Sequence, residues 1–361
     1  MAGGKSKEIR AWILGAIKRG TYAKDEPLPG DLELARRFKV SRGTVRTALD
    51  DLRRQGLIER RRGAGTFLSE RGTRKSGVIG LLLPEADTCE FFRDVAEALV
   101  RQARRYGYAV LVKKVDSADP ETIARAMRRH ARKLAVQPVE GVVFRPLVSE
   151  QFAGVNREVV RIFERTETPV VLFDSDIEEN PKRSACDLVA VNNVAAGRKV
   201  AEHLIARGRR RIAFLMADCV PGKNVNLLDR FFGVAGESVV RGLRDGVRSV
   251  DCNPEDTSAL RKLLRSAWRP DAFVCAGDEV AARLVRALRT LSVRVPDDVA
   301  VVGFDDVACA RSSVPPLTTV RQPSLQIAQT LLKTLAFRIR SPEAPPQEIY
   351  LDAPLIVRRT T

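Results

Sequence analysis

The chain has 361 residues, 44% of them hydrophobic, which is enough for more than one core and too many for a single small domain. No run approaches the roughly eighteen apolar residues of a membrane span, and the polar start, Met1 to Lys7, lacks the apolar stretch of a secretory signal, so a cytoplasmic protein with no membrane partner is expected. The formal charge of +17 is uneven: residues 1–75 hold 19 Lys/Arg against 9 Asp/Glu, a local +10 that points to a polyanion partner. The cysteines (Cys89, Cys186, Cys219, Cys252, Cys275, Cys309) are scattered and His130 and His203 lie far apart, so neither a metal site, a cofactor nor a disulfide framework is expected.

Ile9, Ile13 and Ile17, with Trp12 alongside, predict a first helix that Gly20 ends. After Pro27-Leu28-Pro29-Gly30, the residues Leu32, Leu34, Ala35 and Phe38 predict a second. Ser41 stands where an N-cap belongs, with the amide of Thr44 in reach of its hydroxyl. A third helix follows from about Arg42 to Gln55, with Val45, Leu49 and Leu52 as its apolar stripe and Gly56 as its stop. Arg42, Thr44 and Arg46 stand off that stripe at its N-terminal end. Residues 57–60 and 66–68 then read as two short strands joined by Arg61-Arg62-Gly63-Ala64-Gly65, a basic and permissive tip. This order of elements is a winged helix-turn-helix, whose third helix enters the major groove while the wing reaches a neighbouring backbone or minor groove.

Residues 9–68 resemble the GntR-type DNA-binding domain through Leu28-Pro29, Glu33-Leu34-Ala35, Val40-Ser41-Arg42, Thr44-Val45-Arg46, Ala48-Leu49, Leu52, Gly56-Leu57 and Gly65-Thr66-Phe67. The resemblance implies operator contacts from Ser41, Arg42, Thr44 and Arg46, helped by a wing of Arg61, Arg62, Gly63 and Gly65. Arg42 and Arg46 carry forks that can read guanine or hold phosphate, and the sequence leaves both roles open. Arg61 and Arg62 suit phosphate or minor-groove contact. Gly30-Asp31 and Leu32 depart from the family, which often has Ser-Glu and then an arginine there.

Residues 69–76 are polar and aperiodic, and read as a linker between a DNA-binding domain (1–68) and a larger domain (77–361). Strands and helices then alternate. Strands are predicted at 77–83, 109–112, 141–144, 170–173, 188–191, 212–216, 272–275, 299–302 and 349–356. Helices are predicted at 91–106, 120–135, 155–164, 194–206, 228–243, 254–267, 279–291 and 325–340. The pattern predicts an α/β body of two lobes with parallel sheets, whose ligands sit beyond the carboxyl ends of the strands.

Residues 77–359 resemble the LacI/GalR-type effector domain, itself similar to periplasmic sugar-binding proteins. The resemblance rests on Val189–Arg198, Ala201–Gly208, Arg211–Phe214, Pro270–Ala272, Ala276–Glu279, Val295–Asp306 and Pro315–Val320. It implies a homodimeric, ligand-responsive repressor on double-stranded operator DNA, with a carbohydrate-type effector and no enzymatic activity. The implied effector contacts are Asp174, Arg230 (opening an Arg-x-x-Gly with Gly233), Asp305, Asp278 and Gln322, with Arg145 closing the third strand of the body. Phe91 or Phe92 can offer a face to a sugar ring or fill the core, and Asp278 can contact ligand or cap a helix. Aspartates accept from hydroxyls and arginine donates, which suits a polyol. Gly277 stands where the family usually has asparagine, and Val191-Asn192-Asn193 where it has Val-Asp-Asn, departures that leave open a DNA-binding repressor with a non-sugar or lost effector response. Neither a catalytic triad nor a phosphate loop after a strand is read, and Lys223 and Lys262 lie in no cofactor-lysine context.

Overall fold

The computed structural model describes residues 2–361 except 20, 24, 55, 70–75, 85–89, 116, 118, 180 and 217–223; for residues 2–4, 18 and 19 it describes the backbone alone. Gly20, Gln55, Cys89, Cys219, Lys223 and most of the predicted linker therefore lie outside the described residues.

The head consists of α1 (Ala2–Arg19), α2 (Asp31–Phe38), α3 (Arg42–Arg54) and a hairpin of β1 (Ile58–Arg61) and β2 (Gly65–Leu68). Ile9, Ile13, Leu34, Val45, Ala48 and Leu52 are fully buried and form one core where the three helices meet. Leu32 does not join it and is 55% exposed. Leu34, Ala35 and Phe38 share one face of α2, and Leu32, two residues before Leu34, falls about 200° around the helix from it. Lys39 ends α2 in the left-handed conformation, and the amide of Thr44 donates to Ser41 Oγ at 3.3 Å. In the wing the strands pair antiparallel from Ile58 opposite Leu68 to Arg61 opposite Gly65. Gly63 and Gly65 take positive φ (77° and 116°), so the tip needs residues without Cβ.

The body's first sheet contains β3 (Val78–Pro84), β4 (Ala109–Val115), β5 (Val142–Phe144), β6 (Val170–Phe173), β7 (Asp187–Val191) and β13 (Glu348–Leu351). Its order is β13-β7-β6-β5-β3-β4, parallel throughout. The second sheet contains β8 (Ile212–Leu215), β9 (Val247–Val250), β10 (Ala272–Cys275), β11 (Ala300–Asp305), β12 (Thr318–Arg321) and β14 (Leu355–Ile356). Its order is β14-β12-β11-β10-β8-β9, and only β14 runs antiparallel to its neighbour. The helices are α4 (Glu90–Arg105), α5 (Pro120–Ala135), α6 (Ala153–Glu164), α7 (Asn193–Ala206), α8 (Val225–Val240), α9 (Thr257–Leu264), α10 (Asp278–Thr290), α11 (Ala308–Ser312) and α12 (Ser324–Arg340).

The chain passes between the sheets three times: between β7 and β8, between β12 and β13, and between β13 and β14. The last passage corrects the single strand expected at 349–356: Asp352-Ala353-Pro354 divides it, and its halves belong to different lobes. The strands β9 and β12 and the short helix α11 are not anticipated by periodicity. The edge strand β9 is only half-buried, and β12 carries Thr318 and Thr319, polar residues that are nonetheless fully buried. Among the described residues no helix is long and apolar enough to cross a membrane.

The helices α7 and α8 touch at two glycines. A Cβ on Gly197 would stand 2.2 Å from the carbonyl oxygen of Arg230, and one on Gly233 would stand 2.2 Å from that of Val194. Only glycine permits this approach, and it fixes where α8 places Arg230.

Candidate DNA-binding face and effector cleft

On the head, Arg42 and Arg46 are exposed and Thr44 is half-buried beside Ser41, whose hydroxyl lies 3.0 Å from that of Thr44. The Arg46 side chain is 56% exposed, with Nε 3.4 Å from Asp31 of α2. Arg42 and, on the wing, Arg62 make no ion pair among the described residues. Arg61 differs. It donates to Glu59 at 2.9 Å and to Asp25 at 3.2 Å, and its guanidinium lies 4.4 Å over the Phe67 ring. These acids, Glu59 first, raise its pKa further. A signal for this was present in the sequence, since residues 59 and 61 of a strand share a face.

In the body, side chains from both lobes converge beyond the strand ends. Arg145 follows β5 and Asp174 follows β6; they are 3% and 9% exposed, with Nη2 and Oδ2 3.4 Å apart. Burial weighs against both charges, raising the pKa of Asp174 and lowering that of Arg145, while each partner opposes the shift in the other. Arg145 lies 3.7 Å over the ring of Phe92, which is half-buried, whereas Phe91 is packed into the core against Phe92 and Phe173. Ser175 Oγ is buried with no hydrogen-bond partner among the described residues, while Asp174 Oδ2 is buried against Arg145.

From the other lobe, Arg230 is buried and donates from Nε to Asn193 Oδ1 (2.9 Å) and from Nη1 to the carbonyl of Ala276 (2.7 Å). Its Nη2 lies 3.7 Å from Asp305 Oδ1, and the guanidinium is 4.4 Å over Phe304. Gln322 donates from Nε2 to Asp305 Oδ1. Asp174 and Asp305 both leave their strands at positive φ (76° and 104°), an uncommon conformation for a residue with a side chain. Asp174 feels the charges of both Arg230 and Asp305, so the two lobes' polar groups form one cluster.

Asn193 was not singled out in the sequence, although it belongs to a run that carries the resemblance. Asn192 and Asn193 divide their work: the first caps α7 by accepting from the amide of Ala195, and the second orients Arg230. Asp278 is neither the cap of α10, which is Gly277, nor open to the cleft. It is 1% exposed, and its oxygens accept from the amide of Val307 (3.0 Å) and the hydroxyl of Thr319 (2.6 Å). Gly277 lies against Asp305, with a Cβ there falling 3.4 Å from Oδ2.

Burial, reinforced by the charge of Asp305, pushes the Asp278 pKa up to about 8. The sign follows from linkage. From the ordinary carboxylate range up to about pH 8 the folded chain holds a proton that the unfolded chain has released, so this group makes stability fall as pH rises through that window. The slope reaches at most about 1.4 kcal/mol per pH unit. Denaturation of wild type and Asp278→Asn between pH 5.5 and 8.5 should show the decline flattened in the variant. Parallel curves would mean that Asp278 is ionised throughout.

Residues 5–68 match the bacterial regulatory proteins of the gntR family, and residues 201–361 match the periplasmic binding protein-like domain. The chain joins a GntR-type DNA-binding domain to a periplasmic-binding-protein-like body. This regulator is 28% identical over 348 residues to the arabinose metabolism transcriptional repressor of Geobacillus stearothermophilus, covering 92% of this chain and 90% of that one. It is 28% identical over 289 residues to the ribose operon repressor of Halalkalibacterium halodurans, covering 80% of each chain. Among solved structures, the regulator CelR in complex with cellobiose superposes with a TM-score of 0.66 at 22% identity, covering 92% of this chain and 100% of that one. The lac repressor dimer bound to operator and an anti-inducer gives 0.63 at 22% identity, with coverages of 80% and 95%. At these identities the solved structures establish the two-lobed fold. The regulator is thus a DNA-binding protein of transcription control with its two components in one chain.

Proposed function

We propose that this regulator is a repressor whose hold on operator DNA is controlled by a carbohydrate bound between the two lobes of its body. The observation that carries the reading is that Arg145 and Asp174 pair in one lobe, Arg230 and Gln322 hold Asp305 in the other, and Arg230 and Asp305 lie near enough to act on the charge of Asp174. Ser175 Oγ adds a buried hydroxyl to that cluster of donors and acceptors. A sugar hydroxyl donates and accepts, so it satisfies both kinds of group without bringing a charge into the cleft. The names of the arabinose and ribose repressors support the same class of effector. Asp278, with both oxygens engaged inside its own lobe, is proposed to support the site rather than touch the ligand.

The proposed division is a head of residues 1–68, a linker of 69–76 and a body of 77–361, working as a cytoplasmic homodimer. Dimerisation sets the spacing of two heads on two operator half-sites. An effector controls that spacing only through a difference in affinity for the two arrangements of the lobes.

A thermal-shift panel of pentoses, hexoses and disaccharides on the full-length protein tests this. A ligand at 100 times its Kd adds about 2.7 kcal/mol, a rise of about 4 °C for a chain of this size. A selective rise that also changes retention of selected DNA in a gel-shift assay is the expected result. A panel with no response removes the carbohydrate reading.

A further inference from the structure

At the end of β11 two consecutive aspartates have positive φ, 104° at Asp305 and 55° at Asp306. Positive φ is uncommon for residues with a side chain, aspartate tolerating it better than most, and two in succession point to support from their surroundings. For Asp306 those surroundings are three arginines from three segments. Its carboxylate, 1% exposed, accepts from Arg321 Nε (2.6 Å) on β12 and from Arg358 Nη2 (2.5 Å) near the end of the chain. Its carbonyl accepts from Arg311 Nη1 (3.1 Å) on α11.

The cleft pair lies one residue away along each strand. Asp305 pairs in register with Arg321, and it is Gln322, the next residue, that donates to Asp305. The Asp306–Arg321 ion pair and the Asp305–Gln322 hydrogen bond are therefore consecutive ties between the ends of β11 and β12.

We propose that Asp306 is a positioning residue: its three-arginine clamp forces the turn that presents Asp305 and Gln322 to the effector. The proposal rests on the cleft being the effector site. It assigns specificity to a residue that itself meets no ligand, through a fixed backbone rather than through contact.

A second buried pair separates this role from plain stabilisation. In the other lobe Asp187, whose side chain is 0% exposed, is held by Arg338 from Nε and Nη2, both at 2.8 Å, and among the described residues it makes no hydrogen bond or ion pair with a cleft residue. Four full-length variants are compared with wild type: Asp306→Asn, Arg321→Met, Arg321→Lys and Asp187→Asn. Arg321 is 51% exposed, so its variants stay folded should Asp306→Asn not.

Crystal structures without ligand give the first readout. In Asp306→Asn or Arg321→Met, Asp305 is expected to leave its positive φ and part from Gln322, and an unchanged pair in both overturns the proposal. Calorimetry with L-arabinose, D-ribose and cellobiose as probes gives the second. Asp306→Asn and Arg321→Met should weaken the sugar that wild type binds about tenfold or more, the scale of losing one partner of a buried charge pair. Arg321→Lys should regain most of the loss. Asp187→Asn should lower the melting temperature while leaving affinity within about twofold, because distant sites add independently. Equal affinity losses in Asp187→Asn and Asp306→Asn overturn the positioning role. If wild type binds none of the three sugars, the carbohydrate reading fails for them, and the crystallographic comparison still decides whether Asp306 sets the turn.

Discussion

Gly233→Ala is expected to destabilise the body by about 3 kcal/mol, the upper part of the range for overpacking, and to lower its melting temperature by about 5 °C. The new methyl group would stand 2.2 Å from the carbonyl oxygen of Val194, and that neighbour is helix backbone, which cannot rotate aside as a side chain would. Relief requires α7 and α8 to separate. Because Arg230 is three residues before Gly233 on α8, the separation also pulls its guanidinium from Asn193, Ala276 and Asp305. Gly197→Ala meets the carbonyl of Arg230 at the same distance and should behave alike. As a control, Gly154→Ala has nothing within 4 Å of its added carbon and should be nearly neutral or slightly stabilising. Chemical denaturation of the three variants checks the ordering, and a loss under about 1 kcal/mol for both Gly233→Ala and Gly197→Ala would show that the helices are free to move apart.

Arg42→Ala should weaken binding to a DNA fragment selected in vitro on the wild-type chain by about tenfold to a hundredfold, corresponding to roughly 1–3 kcal/mol. The arginine is exposed at the start of α3 and makes no ion pair among the described residues, so no internal partner has to be given up when it meets DNA. The salt dependence separates its two possible roles. A phosphate contact lowers the slope of log K against log salt by about 1 and weakens all sequences alike, whereas a base contact leaves the slope and relaxes sequence preference. Arg61→Ala should leave DNA affinity within about threefold, because Glu59 and Asp25 already neutralise its charge. An Arg61 effect as large as that of Arg42 would mean that DNA displaces those carboxylates.

Much of the fold was legible because its elements are governed by local pattern. Buried parallel strands such as Val170–Phe173 and Ala272–Cys275 are uninterrupted apolar runs bounded by turn residues, and the helix Pro120–Ala135 carries its own start signal in Asp119 and Pro120. What escaped notice depends on partners distant in sequence. The strand Thr318–Arg321 lacks an apolar signal because Thr318 is satisfied by the hydroxyls of Thr360 and Thr361 near the chain end, and Thr319 by the carboxylate of Asp278. The terminal run 349–356 reads as one strand because alternation does not reveal which sheet each half joins.

The same division holds for the candidate site. Readable along the chain were the order of the two components, the basic head with Arg42, Thr44 and Arg46 at the start of its third helix, and the strand ends marked by Asp174 and Asp305. Periodicity, capping and charge are properties of neighbours along the chain, and short-range physics makes them readable. Only the tertiary structure decided which charges meet. It tied Arg61 to Asp25, placed Arg145 over Phe92 against Asp174, withdrew Asp278 into its own lobe, and gathered Arg311, Arg321 and Arg358 on Asp306. Those pairings join residues between 5 and 53 positions apart in the chain, and a charge seen in sequence carries no record of the partner that folding brings within a few ångströms.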